Sequence, residues 1–121
     1  MAAKIIDGKL IAKSIREDIK QQTADLVKIK GFQPGLAAVI VGDNQASRLY
    51  VNSKRKACAE VGIYSEEHSL PKETTQVDLL KLIDKLNHDP KIHGILVQLP
   101  LPKHIDADKL FELINPKKDV D

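Results

Sequence analysis

The stretch GLAAVIVGDNQASRLYVNSKRKACAEVG, residues 35–62, joins an apolar run to a longer amphipathic segment. The run at residues 35–42 is continuous and bounded by glycines, which predicts a strand buried on both faces of a sheet. DNQAS then turns the chain into a predicted helix over residues 46–61, and Gly62 ends it. A buried strand followed directly by a helix is the first half of a βαβ crossover.

Helical and extended patterns alternate along the rest of the chain. Asp7 and Asp106 can cap the first and last of the other predicted helices, and a further helix is predicted from about Thr75. Gly31 should end the first of them and Pro116 the last. The apolar faces expected to be buried carry Ile11, Ile15, Ile19 and Leu26 in the first helix, and Val77, Leu80, Ile83 and Leu86 after Thr75. Two further strands are predicted, in YSEEHSL (residues 64–70) and in HGILVQLPLP (residues 93–102).

Strands separated by helices of this length predict an α/β fold, with an open, largely parallel sheet flanked by helices. A chain of 121 residues accommodates one such domain and little more. Ligands of parallel sheets bind outside the carboxyl ends of the strands. This rule selects the turn after Val41, the loop after Val97 and the terminal KKDVD. Tyr50, Lys54 and Gln98 fall in or near these places and are therefore the leading candidates for a site.

Composition excludes several classes of protein. Lys and Arg total 19 against 17 Asp and Glu, which gives a net charge of +2. This near balance does not favour nucleic acid or an anionic membrane as a partner. The single cysteine, Cys58, excludes an internal disulfide and is expected to be a small buried apolar group. The four histidines are interpreted as surface or loop residues, and without ligand spacing they predict no metal. With no signal-like start and no apolar run near ~20 residues, a cytoplasmic protein is predicted.

Tyr50 and Lys54 are four residues apart, so on a helix the phenol and the ammonium share one face. Because most lysines are solvated, Lys54, Arg55 and Lys56 could equally form a plain basic stripe. Two observations favour a functional interpretation. The helix starts at the carboxyl end of a strand, and an aromatic side chain lies one turn before Lys54.

Gln98 interrupts ILVQLPLP where the strand should leave the sheet. A buried amide must find partners, so Gln98 either satisfies the backbone of the stiff proline loop or faces a ligand. The turn VGDNQAS lacks the second glycine and the Gly-Lys-Ser/Thr ending of a phosphate loop, and the chain has no G-x-G-x-x-G. The backbone N–H groups of this turn, at the start of the helix, could still contact a ligand with the help of Ser47.

Three segments, PGLAAVIVGDNQASRLYVNSKRKACAEVGI, GILVQLPLP and PKKDVD, resemble the N-terminal part of the bifunctional methylenetetrahydrofolate dehydrogenase/methenyltetrahydrofolate cyclohydrolase family. AAKIIDGKLIA and LLKLIDKLN fit as well, so the resemblance covers essentially the whole chain. It implies an enzyme of one-carbon metabolism that oxidises 5,10-methylenetetrahydrofolate with NADP, or with NAD in some members. The methenyl product is then hydrolysed to 10-formyltetrahydrofolate in the same folate cleft, between two domains.

The resemblance also implies roles for individual residues. Lys54 corresponds to the lysine of the family's Y-x-x-x-K element, a general acid/base and electrostatic group, and Tyr50 to the aromatic that stacks on the folate. Gln98 of VQLP is expected to contact Lys54 and help tune it. The other expected substrate contacts, including a carboxylate for the pterin, are Ser47, Leu99, Pro100 and Asp121.

One departure from the family pattern is large. The family continues from DVD into a glycine-rich Rossmann domain that binds NADP, whereas this sequence stops at Asp121. We therefore expect residues 1–121 to be the N-terminal catalytic domain of a longer, homodimeric parent, with no cofactor site of its own. The chain alone is expected to be a monomer that lacks half of the cleft wall and does not perform the dehydrogenase step.

Two functions of other classes fit the residues less well. A receiver-like signalling module needs clustered acids after its first strand and an acceptor Asp after its third, which KIID and VQLP do not provide. A nucleic-acid-binding helix would use its cations, and the balanced net charge argues against it. Those cations are Arg48, Lys54, Arg55 and Lys56.

Overall fold

Helices and strands alternate through the whole of the computed structural model, which describes residues 7–120. The elements of this range are α1 (Gly8–Lys30), β1 (Gly35–Val41), α2 (Gln45–Val61), β2 (Tyr64–Leu70), α3 (Gln76–His88), β3 (Gly94–Val97) and α4 (Ala107–Leu113). Every predicted helix and strand is present, with bounds within a few residues of those expected. The apolar start before Asp7 lies outside the described residues.

The three strands form one parallel sheet in the order β2-β1-β3. β1 is the central strand, and its Val39 pairs with His68 of β2 on one side and Val97 of β3 on the other. Because all three strands run the same way, their carboxyl ends meet at one edge of the sheet. The predicted α/β fold with an open parallel sheet is confirmed.

β1 is buried on both faces because helices cover both sides of the sheet. Its residues Ala37, Val39 and Val41 pack in a core cluster with residues of α3 and α4, such as Ile83 and Leu110. The alternate residues of β1 point the other way and pack on α2. This second cluster consists of Ala38, Ile40 and Val51. The alternation follows from the two-residue period of a strand, so a strand covered on both sides reads as continuous apolar sequence.

The helix ends follow the predicted caps. The Asp7 carboxylate accepts hydrogen bonds from the backbone N–H groups of Lys9 and Leu10, at 3.1 and 3.2 Å. Thr75 and Asp106 cap α3 and α4 in the same way. α2 begins one residue earlier than predicted, because the Asn44 side chain accepts from Ser47 N at 3.0 Å and caps it. Gly31 and Gly62 end α1 and α2 in the left-handed conformation, with φ of 73° and 82°.

The buried faces of α1 and α3 differ from the prediction. On α1 the only buried residue is Thr23, while the isoleucines expected in the core are 38% exposed or more: Ile11, Ile15 and Ile19. α1 packs mainly on α2 rather than on the sheet, which limits its burial. On α3, Val77 is 60% exposed, and the buried residues are Leu79, Ile83 and Leu86. The i, i+4, i+7 spacing from Leu79 defines the buried stripe and turns Val77 away from it.

No helix within residues 7–120 has both the length and the apolar character needed to cross a membrane.

Gly35 should tolerate no side chain, because an added Cβ would overlap the backbone carbonyl oxygen of Lys91. We expect Gly35→Ala to destabilise the protein by about 2 kcal/mol, since backbone next to the start of β1 must shift. Urea unfolding followed by circular dichroism measures this change. Gly8→Ala is the matched control, because a Cβ at Gly8 meets no atom within 4 Å. Equal midpoints for both variants would contradict the expectation.

Candidate functional site

The Lys54 ammonium donates a hydrogen bond to the side-chain oxygen Oε1 of Gln98 at 2.9 Å. These residues are 44 positions apart in sequence. Lys54 lies on α2, which follows β1, and Gln98 is the first residue after β3. Because β1 and β3 are parallel neighbours, the helix after one and the loop after the other leave the same edge of the sheet. The contact expected between Lys54 and Gln98 is present.

Tyr50 lies one turn before Lys54 on α2 and is 60% exposed. The next residue, Val51, lies about 100° round the helix, is 1% exposed and packs on β1, so it anchors the helix to the sheet. The ring of Tyr50 therefore stands at the surface beside the Lys54–Gln98 pair, where a planar ligand can reach it. No hydrogen bond between Tyr50 and Lys54 occurs among the described residues.

The proline loop after β3 is held by polar contacts that converge on one carbonyl oxygen. Leu99 O accepts a hydrogen bond from Ser47 Oγ at 3.0 Å and a longer one from Gln98 Nε2 at 3.4 Å. Gln98 N donates to Val39 O at 2.8 Å, which continues the pairing of β3 with β1. The Leu99–Pro100 peptide bond is cis. With its Nε2 directed at Leu99 O, the Gln98 amide presents Oε1 to Lys54.

Ser47 is 2% exposed, so its hydroxyl is buried under the loop rather than open to a ligand. Ser47 N is also used, because it donates to the capping side chain of Asn44. In this geometry Ser47 contributes to the site by joining the start of α2 to the backbone of Leu99. Leu99 itself is 48% exposed and lies beside the Lys54–Gln98 pair.

Residues 118–119 of the terminal KKDVD lie alongside β3. Asp119 forms a parallel bridge with Ile95, and Ile95 N donates to Lys118 O at 2.7 Å. Asp119 also lines a cavity of about 110 Å³ together with Val97, the residue before Gln98. Asp121, which was expected to contact the substrate, lies outside the described residues.

The other cations of α2 are partly engaged by acids. Arg55 lies 3.6 Å from the Glu67 carboxylate, and Arg48 lies 3.4 Å from that of Asp43. These ion pairs reduce the positive potential that a nucleic-acid-binding helix would require. Lys56 is exposed, as expected of a solvated neighbour.

Two histidines have structural partners that sequence patterns did not indicate. His93 accepts a hydrogen bond at Nδ1 from Gly35 N at 2.9 Å and so holds the start of β1. His68 lies within β2, 2.6 Å from the Glu66 carboxylate. His93 is exposed in the loop before β3, as expected of a surface or loop residue, whereas His68 lies in a strand and is only partly exposed. The signal for His93 was its position one residue before a buried strand.

The pKa values of two groups outside the Lys54–Gln98 pair, Tyr64 and Cys58, are raised. Tyr64 Oη donates to Glu66 at 2.9 Å, and this hydrogen bond to the carboxylate raises the pKa of the phenol. Burial raises the pKa of the Cys58 thiol, and Cys58 is 7% exposed as expected of a small core residue. Within residues 7–120, no group of three or more His, Cys, Asp or Glu side chains is arranged to hold a metal ion.

A cleft of about 500 Å³ lies at the opposite edge of the sheet, where the strands begin. Phe32, Tyr64 and His93 line it. The Phe32 and His93 rings pack with centroids 5.3 Å apart. Ligands of parallel sheets bind at the carboxyl ends of the strands. The edge with Lys54 and Gln98 is therefore the better candidate.

An α/β domain with a Tyr-x-x-x-Lys helix and a glutamine-proline loop at the carboxyl edge of a parallel sheet defines a class of catalytic domain. The chain belongs to the family of tetrahydrofolate dehydrogenase/cyclohydrolase catalytic domains, because the model of that family matches residues 6–121. The chain is 58% identical over 121 residues to the bifunctional protein FolD of Moorella thermoacetica, and 59% identical over 119 residues to that of Geotalea uraniireducens. It covers 43% and 42% of the length of these relatives.

Solved structures give the same result. The bifunctional enzyme FolD, methylenetetrahydrofolate dehydrogenase/cyclohydrolase, of Campylobacter jejuni superposes with a TM-score of 0.95 at 50% identity. This match covers 99% of the present chain and 42% of the Campylobacter chain. The Trypanosoma brucei enzyme, solved with NADP cofactor and an inhibitor, superposes with a TM-score of 0.91 at 40% identity. This match covers 98% of the present chain and 41% of the Trypanosoma chain.

The hydrogen bond from Ser47 to the loop can be tested by substitution. Ser47→Ala leaves Leu99 O with the longer contact to Gln98 only, so we expect a loss of stability of about 1 kcal/mol. Urea unfolding measures this loss. Ser53→Ala on the exposed side of α2 is the control and should stay within about 0.5 kcal/mol of the wild type. If Ser47→Ala is no less stable than Ser53→Ala, the loop does not depend on this contact.

Proposed function

We propose that this chain is the folate-binding catalytic half of a bifunctional methylenetetrahydrofolate dehydrogenase/methenyltetrahydrofolate cyclohydrolase. The observation that carries the proposal is the hydrogen bond from Lys54 to Gln98 at the carboxyl edge of the sheet, with Tyr50 exposed one turn away. Two solved relatives that bear this activity in their titles, from Campylobacter jejuni and Trypanosoma brucei, match 99% and 98% of the chain. The proposed reactions are the oxidation of 5,10-methylenetetrahydrofolate and the hydrolysis of the methenyl product.

In the hydrolysis, water adds to the cationic methenyl carbon and loses a proton. The ring then opens as one carbon–nitrogen bond breaks and that nitrogen is protonated, which leaves the formyl group on the other nitrogen. Lys54 Nζ serves this sequence as a proton acceptor when it is neutral, and as a stabiliser of the developing oxygen charge when it is protonated. Gln98 Oε1 holds the amine at one orientation, because it accepts one of its N–H bonds.

The substrate contacts that we propose surround this pair. Tyr50 stacks its exposed ring on the folate ring system, and the backbone around Leu99 and Pro100 lines the same surface. Asp121 accepts two hydrogen bonds from the pterin amino and ring N–H groups, a pairing that fixes its orientation. Asp119, two residues before Asp121 in the sequence, is tied to β3.

The described residues do not fit a dinucleotide cofactor. The turn between β1 and α2 has one glycine, Gly42, and the helix N-terminus beyond it is capped by the Asn44 side chain. We therefore derive no step through NADP from this chain. We propose that NADP binds a second domain, in the part of the relatives' length that this chain does not match.

The assembly and location of the protein are proposed along with its activity. The complete gene product is proposed to be a cytoplasmic homodimer formed mainly through the part beyond the matched region. The 121-residue chain alone is proposed to be a monomer. Tetrahydrofolate derivatives are its proposed partners, and neither nucleic acid nor a membrane is among them. Sedimentation velocity on both forms measures the oligomeric states, and a dimeric 121-residue chain would contradict this assignment.

The role of Lys54 is tested by replacing it in the complete gene product that carries this sequence. We expect Lys54→Ala to lower kcat for hydrolysis of 5,10-methenyltetrahydrofolate at least about a hundredfold, which is typical for loss of a general acid/base. Lys56→Ala is the matched control, because Lys56 is an exposed cation on the same helix, and it should keep kcat within about twofold of the wild type. Unchanged turnover in Lys54→Ala would remove Lys54 from the mechanism.

Because we propose that NADP binds outside this chain, we predict that the 121-residue chain does not oxidise 5,10-methylenetetrahydrofolate when NADP is supplied. Steady-state NADPH formation measures this, with the complete gene product as the positive control. NADP-dependent formation of the methenyl product by the chain alone would show that the cofactor site lies within it.

A further inference from the structure

Lys118 makes two hydrogen bonds that the proposed reaction does not account for. Its ammonium donates to Leu86 O at 3.1 Å and to Asp89 O at 3.0 Å, and the side chain is half-buried. Leu86 lies in the last turns of α3, and Asp89 is its C-cap residue. A cation at this end of a helix is stabilised by the helix dipole. Here the ammonium is a second donor to both oxygens, which also accept from Asp89 N at 3.3 Å and from Ile92 N at 3.1 Å. Lys118 is therefore fixed to the end of α3.

The backbone of the same residue is fixed to the sheet. Lys118 O accepts from Ile95 N at 2.7 Å, and Lys118 N donates to Asn115 O at 2.7 Å. The next residue, Asp119, pairs with Ile95 in a parallel bridge. Residues 118 and 119 therefore extend the sheet beyond β3, and the Lys118 side chain is what joins this short extension to α3.

Two further contacts show how closely this segment is fitted. Asn87 Nδ2 donates to Leu113 O at 2.8 Å, and Asn87 Oδ1 accepts from Asn115 N at 2.9 Å. A Cβ added at Gly94 would lie 2.9 Å from Val120 Cγ1, so the segment passes directly over the start of β3. The segment runs in the same direction as β3, and β3 leads into Gln98.

We propose that Lys118 is a positioning residue, which ties the segment 115–120 to α3 and so directs the chain that follows to the carboxyl edge of the sheet. This inference rests on the proposed function, in which Asp121 binds the pterin. Without the Lys118 ammonium, the segment leaves β3 part of the time, and only the fraction of molecules with the segment in place binds substrate well. A smaller binding-competent fraction raises the apparent dissociation constant of the substrate. The complex, once formed, is nearly unchanged, and so is the rate of its reaction.

The test replaces Lys118 in the complete gene product and measures hydrolysis of 5,10-methenyltetrahydrofolate. We expect Lys118→Met, which keeps most of the aliphatic stem and removes the donors, to raise KM about tenfold with kcat within about twofold. Lys118→Arg restores donors and should recover most of the wild-type KM. Lys117→Met is the matched control, because Lys117 is the adjacent exposed lysine, and its KM should not change.

Amide hydrogen exchange supplies a readout that does not depend on activity. The Ile95 amide, whose acceptor is Lys118 O, should exchange faster in Lys118→Met than in Lys117→Met. A merely structural role would lower the unfolding midpoint without changing KM. If Lys118→Met does not fold, Lys118→Gln, which keeps a shorter donor, is measured in its place and should raise KM by a smaller factor.

The outcomes separate this inference from the proposed function. A wild-type gene product that does not hydrolyse the methenyl substrate would overturn the proposed function and this inference with it. Normal wild-type turnover, together with an unchanged KM in the folded Lys118 variant, would overturn the inference alone. A raised KM in Lys117→Met as well would show a general charge effect and would also overturn it.

Discussion

Parallel pairing of β1 with both β2 and β3 is the constraint on which the candidate site depends, since it brings the ends of distant chain segments to one edge of the sheet. The helix that follows β1 and the loop that follows β3 start side by side there, and Lys54 meets Gln98 across 44 residues of sequence. β1 can occupy the central position because it is apolar on both faces, with α2 covering one side and α3 with α4 the other. A half-polar strand would leave one of these helical layers without an apolar surface to bury.

A chain of polar contacts converts this arrangement into a defined geometry. Ser47 and Gln98 both donate to the Leu99 carbonyl, and the Gln98 oxygen then faces Lys54. Partly buried groups of this kind are costly to leave unpaired, which favours one orientation of the amide over its flipped form. Among residues 7–120, no buried side-chain nitrogen or oxygen lacks a hydrogen-bond partner. The candidate site thus combines an ordered lysine with an exposed aromatic ring, Tyr50, on the same helix.

The sequence predicted those features that depend on neighbours within a few residues. Asp7 and Asp106 cap helices because a short side-chain oxygen reaches N–H groups two or three residues ahead. Burial was predicted less well, because it depends on what lies opposite a helix face. Val77 satisfied an apolar pattern and is exposed, since the stripe through Leu79 and Ile83 packs in the core instead. The role of His93 was missed for the same reason, as its partner Gly35 is 58 residues away.

The sequence by itself determined the alternation of strands and helices, the doubly buried β1, the shared helix face of Tyr50 and Lys54, and the family resemblance. These are properties of local pattern and of motif order. Only the tertiary structure decided that the Ser47 hydroxyl is buried under the loop and that the Lys118 ammonium binds the end of α3. The physical reason is that these contacts join segments whose proximity follows from the strand order β2-β1-β3 and the packing of helices on it, and no local pattern specifies that order.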